Sequence, residues 1–354
     1  MNKSLPAERR ARLLLAAMTP EEELSMLHGK TPCAYVGCVA GNARLGIPEL
    51  HLQDGPVGVG DGATGVTLLA APVAAAASWD VSLLRTYGEV LGAEHWAKGT
   101  NVVLAPTINI VRDPRWGRAF ESFSEDPFLA GQLSAAEIAG IQSQGPLAQV
   151  KHYAVYNQEE KRNTPADNAI VSERALREIY LPAFEASTAA LSAMCSYSAI
   201  NGPFACENGR LQNQILHKEL GFKGFITSDW GATHSTVASL NGGLDMEMPG
   251  SDYYGKALGA VPQETIDAHV LRILSAMFRG GLFDRPQTGT LATPIADHAA
   301  FARHVAIEGS VLLKNDGALP LPAAVKSIAV IGAAGKTAMF QGGGSAGVNA
   351  KNPI

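Results

Sequence analysis

Basic residues are in slight deficit in this chain of 354 residues: 28 Lys and Arg stand against 33 Asp and Glu, a formal charge of −5. Proteins that hold nucleic acid neutralise phosphates with clustered Lys and Arg, so no nucleic-acid partner is expected. Long apolar runs are missing too. None approaches the ~20 residues that a membrane-spanning helix requires, and no membrane partner is expected. The N-terminal stretch MNKSLPAERRARLLLAAMTPEEE has one short apolar run before Met-Thr-Pro-Glu-Glu-Glu. It reads as two amphipathic helical turns around a capped start and not as a secretory leader, so a cytoplasmic location is the expectation. Cysteine is scarce, at four residues, too few for a disulfide-built scaffold and without the paired CxxC spacing of a structural zinc site. Cys33 and Cys38 share one loop, and Cys195 and Cys206 flank SYSAINGPFA. The plainer reading is four thiols in a reducing compartment; the alternative is a local Cys195–Cys206 disulfide in an exported protein.

What is present is the composition of a globular protein, 46% hydrophobic and 17% charged. The length suits two domains, or one α/β barrel of ~250 residues with something added. Short apolar runs alternate with Ala-rich stretches of helical period, as β-α units do. Strands are expected at 48–54, 101–107, 148–154, 192–198, 224–229 and 242–248, and helices at 81–99, 128–144, 172–190 and 211–220. Most of these strands finish on a chemically capable side chain: Asp54, Asn109 with Arg112 just beyond, Lys151 with His152, Tyr197, and Asp229. Charged groups at buried strand ends cost several kcal/mol unless paired or used. In a (β/α)8 TIM-like barrel those ends converge on one face, where such barrels keep their active sites. The barrel is expected over 1–283, after which DRPQTGTLATP (284–294) opens a linker drawn to residue 303. A helix around 298–315 and an apolar strand at 327–335 then begin a second α/β unit over 304–354, which looks cut off at Ile354.

Asp229 leads the candidates for chemistry. It ends the strand GFITSD and is followed by Trp230, which puts a carboxylate beside an aromatic face suited to stacking on a sugar. An Asp in that position also serves as a helix N-cap, and the local pattern alone leaves both readings open. Strand alternation sends Lys151 and His152 to opposite faces, so at least one should enter the site, where either can donate to vicinal hydroxyls. NIVRDPRWGRAFESFSEDP (109–127) is dense in paired charge and reads as a rigid loop from which one Arg reaches a ligand, or as a salt-bridged surface. QDGPVGVGDGATG (53–65) is Gly-rich but has neither a Walker A nor a GxGxxG pattern, so phosphate binding is a weak reading.

QDGPVGVG, NIVRDPRWGRAFESFSEDP, VKHYAVYNQE, MCSYSAING and GFKGFITSDWGA, in that order, resemble the N-terminal barrel of family 3 glycoside hydrolases, the β-glucosidase-like enzymes, over roughly residues 15–354. The resemblance implies that Asp229 is the catalytic nucleophile. It further implies that Asp54, Arg118, Lys151, His152 and Tyr197 hold the sugar in the innermost subsite, that Trp230 walls it, and that 304–354 opens an α/β sandwich domain. The implied reaction is retaining hydrolysis of small β-glycosides or oligosaccharides by double displacement, most naturally of β-glucosides, with no cofactor and no metal. β-Xylosidase or α-arabinofuranosidase activity, or a non-catalytic carbohydrate-binding remnant, are the alternatives. KHYAVYN departs from the KHFPGHG-like run of the N-acetylhexosaminidase branch. In the β-glucosidase branch the acid/base is a Glu of the second domain, and no residue here matches it, so these residues alone are expected to act only on substrates with activated leaving groups. Ser198 replaces the usual Asn after the Tyr, and His217 and Leu220 stand where a basic residue and a Trp are usual.

Overall fold

A computed structural model describes residues 2–285 and 295–350. Its main sheet curls into a barrel. Gly37–Val39 pairs antiparallel with Leu50–Asp54, and the ladder then runs parallel through Val102–Leu104, Leu147–Tyr153, Ser192–Cys195 and Phe225–Ser228. Single bridges close the ring, from Thr227 to Met246 and from Glu247 to His28, and the Lys30 N–H then donates to the Cys38 carbonyl at 2.9 Å. The strands are short and buried on both faces, which is why they read as apolar runs without alternation.

Two expectations about the ring change. The strand expected at 242–248 survives only as bridges, because the Asp245 carboxylate takes the Ile226 N–H at 2.8 Å, a place a ladder carbonyl would otherwise hold. The antiparallel strand Gly37–Val39 was not expected, so the barrel is not uniformly parallel. Expected helices appear at Val81–Ala97 and Pro127–Ser143, each N-capped by an aspartate, Asp80 and Asp126. The helix expected at 172–190 is broken into Glu173–Ala175, a wide turn at Leu176–Tyr180 and Pro182–Ala186. Pro182 has no N–H to continue a regular ladder, and Leu181 reaches back five residues to Leu176 instead. The two expected N-terminal helical turns are Ala7–Leu15 and Pro20–Leu24, the second opened by a Thr19–Glu22 capping box. Arg10 holds Asp284 through two bonds of 2.7 and 2.9 Å, tying helix Ala7–Leu15 to the turn that follows helix Gln263–Arg279.

Val81–Ala97 and Pro127–Ser143 cross closely because Gly88 and Gly140 face each other's backbones; a Cβ on either would lie 2.2 Å from a carbonyl oxygen. Between them Glu137 is fully buried and neither carboxyl oxygen has a partner among the described residues. Burial pushes its carboxyl up to about 8. The folded protein therefore binds a proton that the unfolded chain has released across the interval from the ordinary carboxyl range to about 8. Stability from this group is full at acid pH and is lost as pH rises through that interval. Glu137→Gln should flatten this fall, with a gain over wild type that grows to a few kcal/mol, roughly, by pH 8 in denaturant unfolding at stepped pH.

The Gly-rich segment at 53–65 has a structural use. Val57, Val59 and Val66 form a small second core with Ala346 and Val348, and Thr64–Val66 pairs with Asn349–Ala350. Gly58 allows this approach, since a Cβ there would sit 2.4 Å from the Thr67 carbonyl. The post-barrel chain thus folds back onto the barrel rim. Of the linker read from 284, residues 286–294 lie outside the described residues, and 295–303 belong to helix Ile295–Glu308. That helix stops at Gly309, short of the expected 315. No strand forms at 327–335: Ile328, Val330 and Ile331 are 67%, 73% and 92% exposed, and no described strand offers them a ladder. Nor are the thiols free. Cys33 bonds Cys38 and Cys195 bonds Cys206, with Cα separations of 5.6 and 5.3 Å that suit disulfides, which corrects the reading of four reduced cysteines.

Candidate active site

The seven residues that the resemblance assigns to the site line one cavity of about 460 Å³ at the C-terminal ends of the barrel strands, whereas Asn109 and Arg112, also expected at strand ends, do not line it. Asp54 closes strand Leu50–Asp54, Lys151 and His152 lie late in Leu147–Tyr153, Tyr197 follows Ser192–Cys195, and Asp229 with Trp230 follows Phe225–Ser228. Arg118 comes from the long loop after Val102–Leu104. Lys151 and His152 both face the cavity, where alternation would have turned one away; the pairing register shifts between Val150 and Tyr153, and that irregularity ends the alternation locally.

Asp229 is 6% exposed. Its Oδ1 accepts the Trp230 N–H at 2.7 Å, while Oδ2 is buried without a hydrogen bond, 3.6 Å from His152 Nε2. It caps no helix: the next one, Val237–Gly242, starts eight residues on behind Thr236. Burial pushes the Asp229 carboxyl up, against the pull of Arg118, the Trp230 N–H, Lys151 and the Tyr197 hydroxyl. Lys151 Nζ stands 3.5 Å from Asp54 Oδ1. Burial still takes Asp54 up to about 7, with Lys151 opposing and Asp61 and Asp229 adding to the rise. Arg118 is clamped by Glu121 through bonds of 3.0 and 2.8 Å and touches Ser345 Oγ at 3.2 Å. His152 is held neutral, by burial first and then by Arg118, Lys151 and Arg162. The Trp230 indole is pinned by its N–H to the Val36 carbonyl at 3.1 Å, and Val36 lies inside the Cys33–Cys38 loop.

Sequence reasoning missed Val36, Glu121, Glu159, Arg162, Met194 and the segment Gly343–Ser345, which share the lining. Arg162 stacks its guanidinium 4.8 Å from the Tyr197 ring centroid and bonds Glu159 at 2.7 Å. Glu159 also accepts from the Trp116 indole at 2.7 Å and the Tyr156 hydroxyl at 2.5 Å. A charge run such as NQEEKRN gives no sequence sign that one cation folds inward. Ser198 lies off the cavity, donating to Asp167 at 2.9 Å, and His217 donates from Nδ1 to the Phe222 carbonyl, 3.1 Å away, so the departures noted in the sequence leave the lining intact. The described residues contain no group of three or more His, Cys, Asp or Glu placed to hold a metal, and no helix long and apolar enough to cross a membrane.

The arrangement offers a desolvated carboxylate, an aromatic wall and several fixed polar groups, the equipment for holding a polyol and attacking it. Comparison with known proteins agrees. Residues 27–276 match the glycosyl hydrolase family 3 N-terminal domain. The chain is 40% identical over 354 residues to a β-glucosidase of Rhizobium radiobacter, covering 95% of this chain and 42% of that protein, and 41% identical over 360 residues to β-glucosidase B of Emericella nidulans, covering 95% and 41%. Among solved structures it resembles DesR, a β-glucosidase from Streptomyces venezuelae in complex with D-glucose (TM-score 0.84, 39% identity, 88% of this chain and 43% of that one). It also resembles the β-D-glucoside glucohydrolase of Trichoderma reesei (0.84, 35%, 89% and 47%). The chain spans less than half the length of these relatives. With the barrel, the cavity at its strand ends and this match in agreement, the chain belongs to glycosyl hydrolase family 3.

Proposed function

We propose that the protein hydrolyses terminal β-glucosyl residues with retention of configuration, with Asp229 as nucleophile. The observation that carries this reading is Asp229 Oδ2: a buried carboxylate oxygen that accepts no hydrogen bond among the described residues, at the sugar-sized cavity, its twin oxygen anchored to a backbone N–H. An oxygen so placed is desolvated before substrate arrives and needs no protein bond broken to attack. Attack on the anomeric carbon forms a glycosyl ester and expels the aglycone oxygen, and water then cleaves the ester. Arg118 and Lys151 oppose the burial that raises the Asp229 carboxyl, and Asp54, Lys151 and Arg118 bind ring hydroxyls through charge-assisted bonds, of which those accepted by the Asp54 carboxylate strengthen as positive charge grows on the ring. Trp230 supplies the stacking face. The two glutamates of the cavity are committed, Glu121 to Arg118 and Glu159 to three donors, and the family resemblance implies that a glutamate of the second domain gives the proton to the leaving oxygen.

Incubation with an activated 2-deoxy-2-fluoro-β-glucoside should leave one fluoroglucosyl group on the peptide carrying Asp229, read by mass spectrometry after digestion. A folded protein that gains no adduct, or gains it on another residue, overturns the assignment, and the first result would leave only a binding role.

A further inference from the structure

Asn109 was expected from the sequence as a chemically capable side chain at a strand end, but it does not line the sugar cavity. It lies wholly buried beside His152. We propose that Asn109 is a positioning residue that fixes His152 as the Nδ1–H tautomer, so that the imidazole meets the substrate with bare Nε2 and accepts a hydrogen bond from a sugar hydroxyl. This deepens the proposed function and rests on it for the identity of the ligand, not for the tautomer itself.

The direction of the Asn109 amide follows from two backbone groups that cannot exchange roles. Its Oδ1 accepts the His152 N–H at 2.9 Å, and its Nδ2 donates to the His152 carbonyl at 2.8 Å. Turning the amide over would set two acceptors against each other and two donors against each other. The same Oδ1 lies 3.0 Å from His152 Nδ1. A carbonyl oxygen only accepts, so Nδ1 carries the proton. Since burial and the neighbouring Arg118, Lys151 and Arg162 keep the ring neutral, Nε2 carries none. The other groups around the ring do not change that: Tyr156 presents its ring edge at 5.2 Å between centroids, and Asp229 Oδ2 stands 3.6 Å from Nε2, beyond a hydrogen bond.

Two consequences follow. Were the proton on Nε2 it would point at Asp229 Oδ2 and stabilise the ground state of the nucleophile; with the proton on Nδ1 that oxygen keeps its full basicity. The sugar also meets a donor and an acceptor side by side, the Lys151 ammonium and the His152 lone pair, which selects a hydroxyl pair over groups that only accept, such as a fluorine or an ether oxygen.

The test is the ring ¹⁵N spectrum of histidine-labelled protein without ligand, with His152 assigned by its loss in His152→Gln. The expected result is a protonated Nδ1 and a bare Nε2 that do not titrate between pH 5 and 8. A proton on Nε2, or a His152 that titrates in that range, overturns the proposal. Asn109→Asp should put a carboxylate beside Nδ1, protonate Nε2, add an ionisation to the pH profile of kcat/KM and lower its neutral value about ten- to a hundredfold. An Asn109→Asp protein that folds and keeps Nε2 bare with an unchanged profile also overturns it. The wild-type spectrum decides the matter if that variant does not fold. Because the tautomer is read without substrate, its failure leaves the labelling of Asp229 standing, and failed labelling with the expected tautomer refutes the function alone.

Discussion

Asp229→Asn should lower kcat/KM for an aryl β-glucoside on the order of 10⁴-fold or more while the protein keeps its fold, because no other group in the cavity is placed to form the ester. The substitution keeps the acceptor for the Trp230 N–H, the bond of 2.7 Å that anchors this side chain. It removes a carboxyl that burial holds above its usual range, so thermal stability above neutral pH should stay equal or rise. Steady-state kinetics with calorimetry on the same samples separates the outcomes: loss of activity with loss of folding would make Asp229 structural, and retained activity would remove it from the mechanism.

Lys151→Met should cost about 10²- to 10³-fold in kcat/KM, the size expected when one partner of a buried ion pair is removed and the other is left without compensation. The partner is Asp54, 3.5 Å away and already at about 7 despite the cation. Without Lys151 its carboxyl rises further, stays protonated at neutral pH and no longer accepts charge-assisted bonds from the sugar. The rising limb of the kcat/KM profile should therefore move to higher pH. Asp54→Asn in the Lys151→Met background should add little to the loss, and a full additive loss would show that the two act on the substrate independently.

The sequence was legible where a side chain stood at the end of an apolar run. Asp54, Tyr197 and Asp229 are set by strands whose burial dictates their composition, and the strand ends of a barrel meet whatever the loops do. That Asp229 caps no helix became decidable only in space, from where the next helix starts and what its two oxygens touch. Arg162 and Glu159 were illegible for the opposite reason: they lie in an aperiodic charged loop whose inward turn depends on the nearby Tyr156 and on Tyr197 and Trp116, both far away in sequence. Gly37–Val39 was too short to stand out, since three residues carry no period. The apolar run at 327–335 has no strand beside it among the described residues, and hydrophobic sequence proposes a strand but only a paired neighbour makes one. The cysteines show the limit of a compartment argument; proximity in the fold, not count, brings each pair to bonding distance.

Ser345 reaches Arg118 from more than two hundred positions downstream, and Gly343 and Gly344 complete that side of the cavity. The architectural unit and the working unit of this protein are therefore not coextensive. An excised barrel ending at residue 283 would present its sugar cleft with one bank missing, and chimeras that graft this barrel onto another enzyme inherit half a doorway unless the returning Gly-Gly-Ser-Ala strap travels with it.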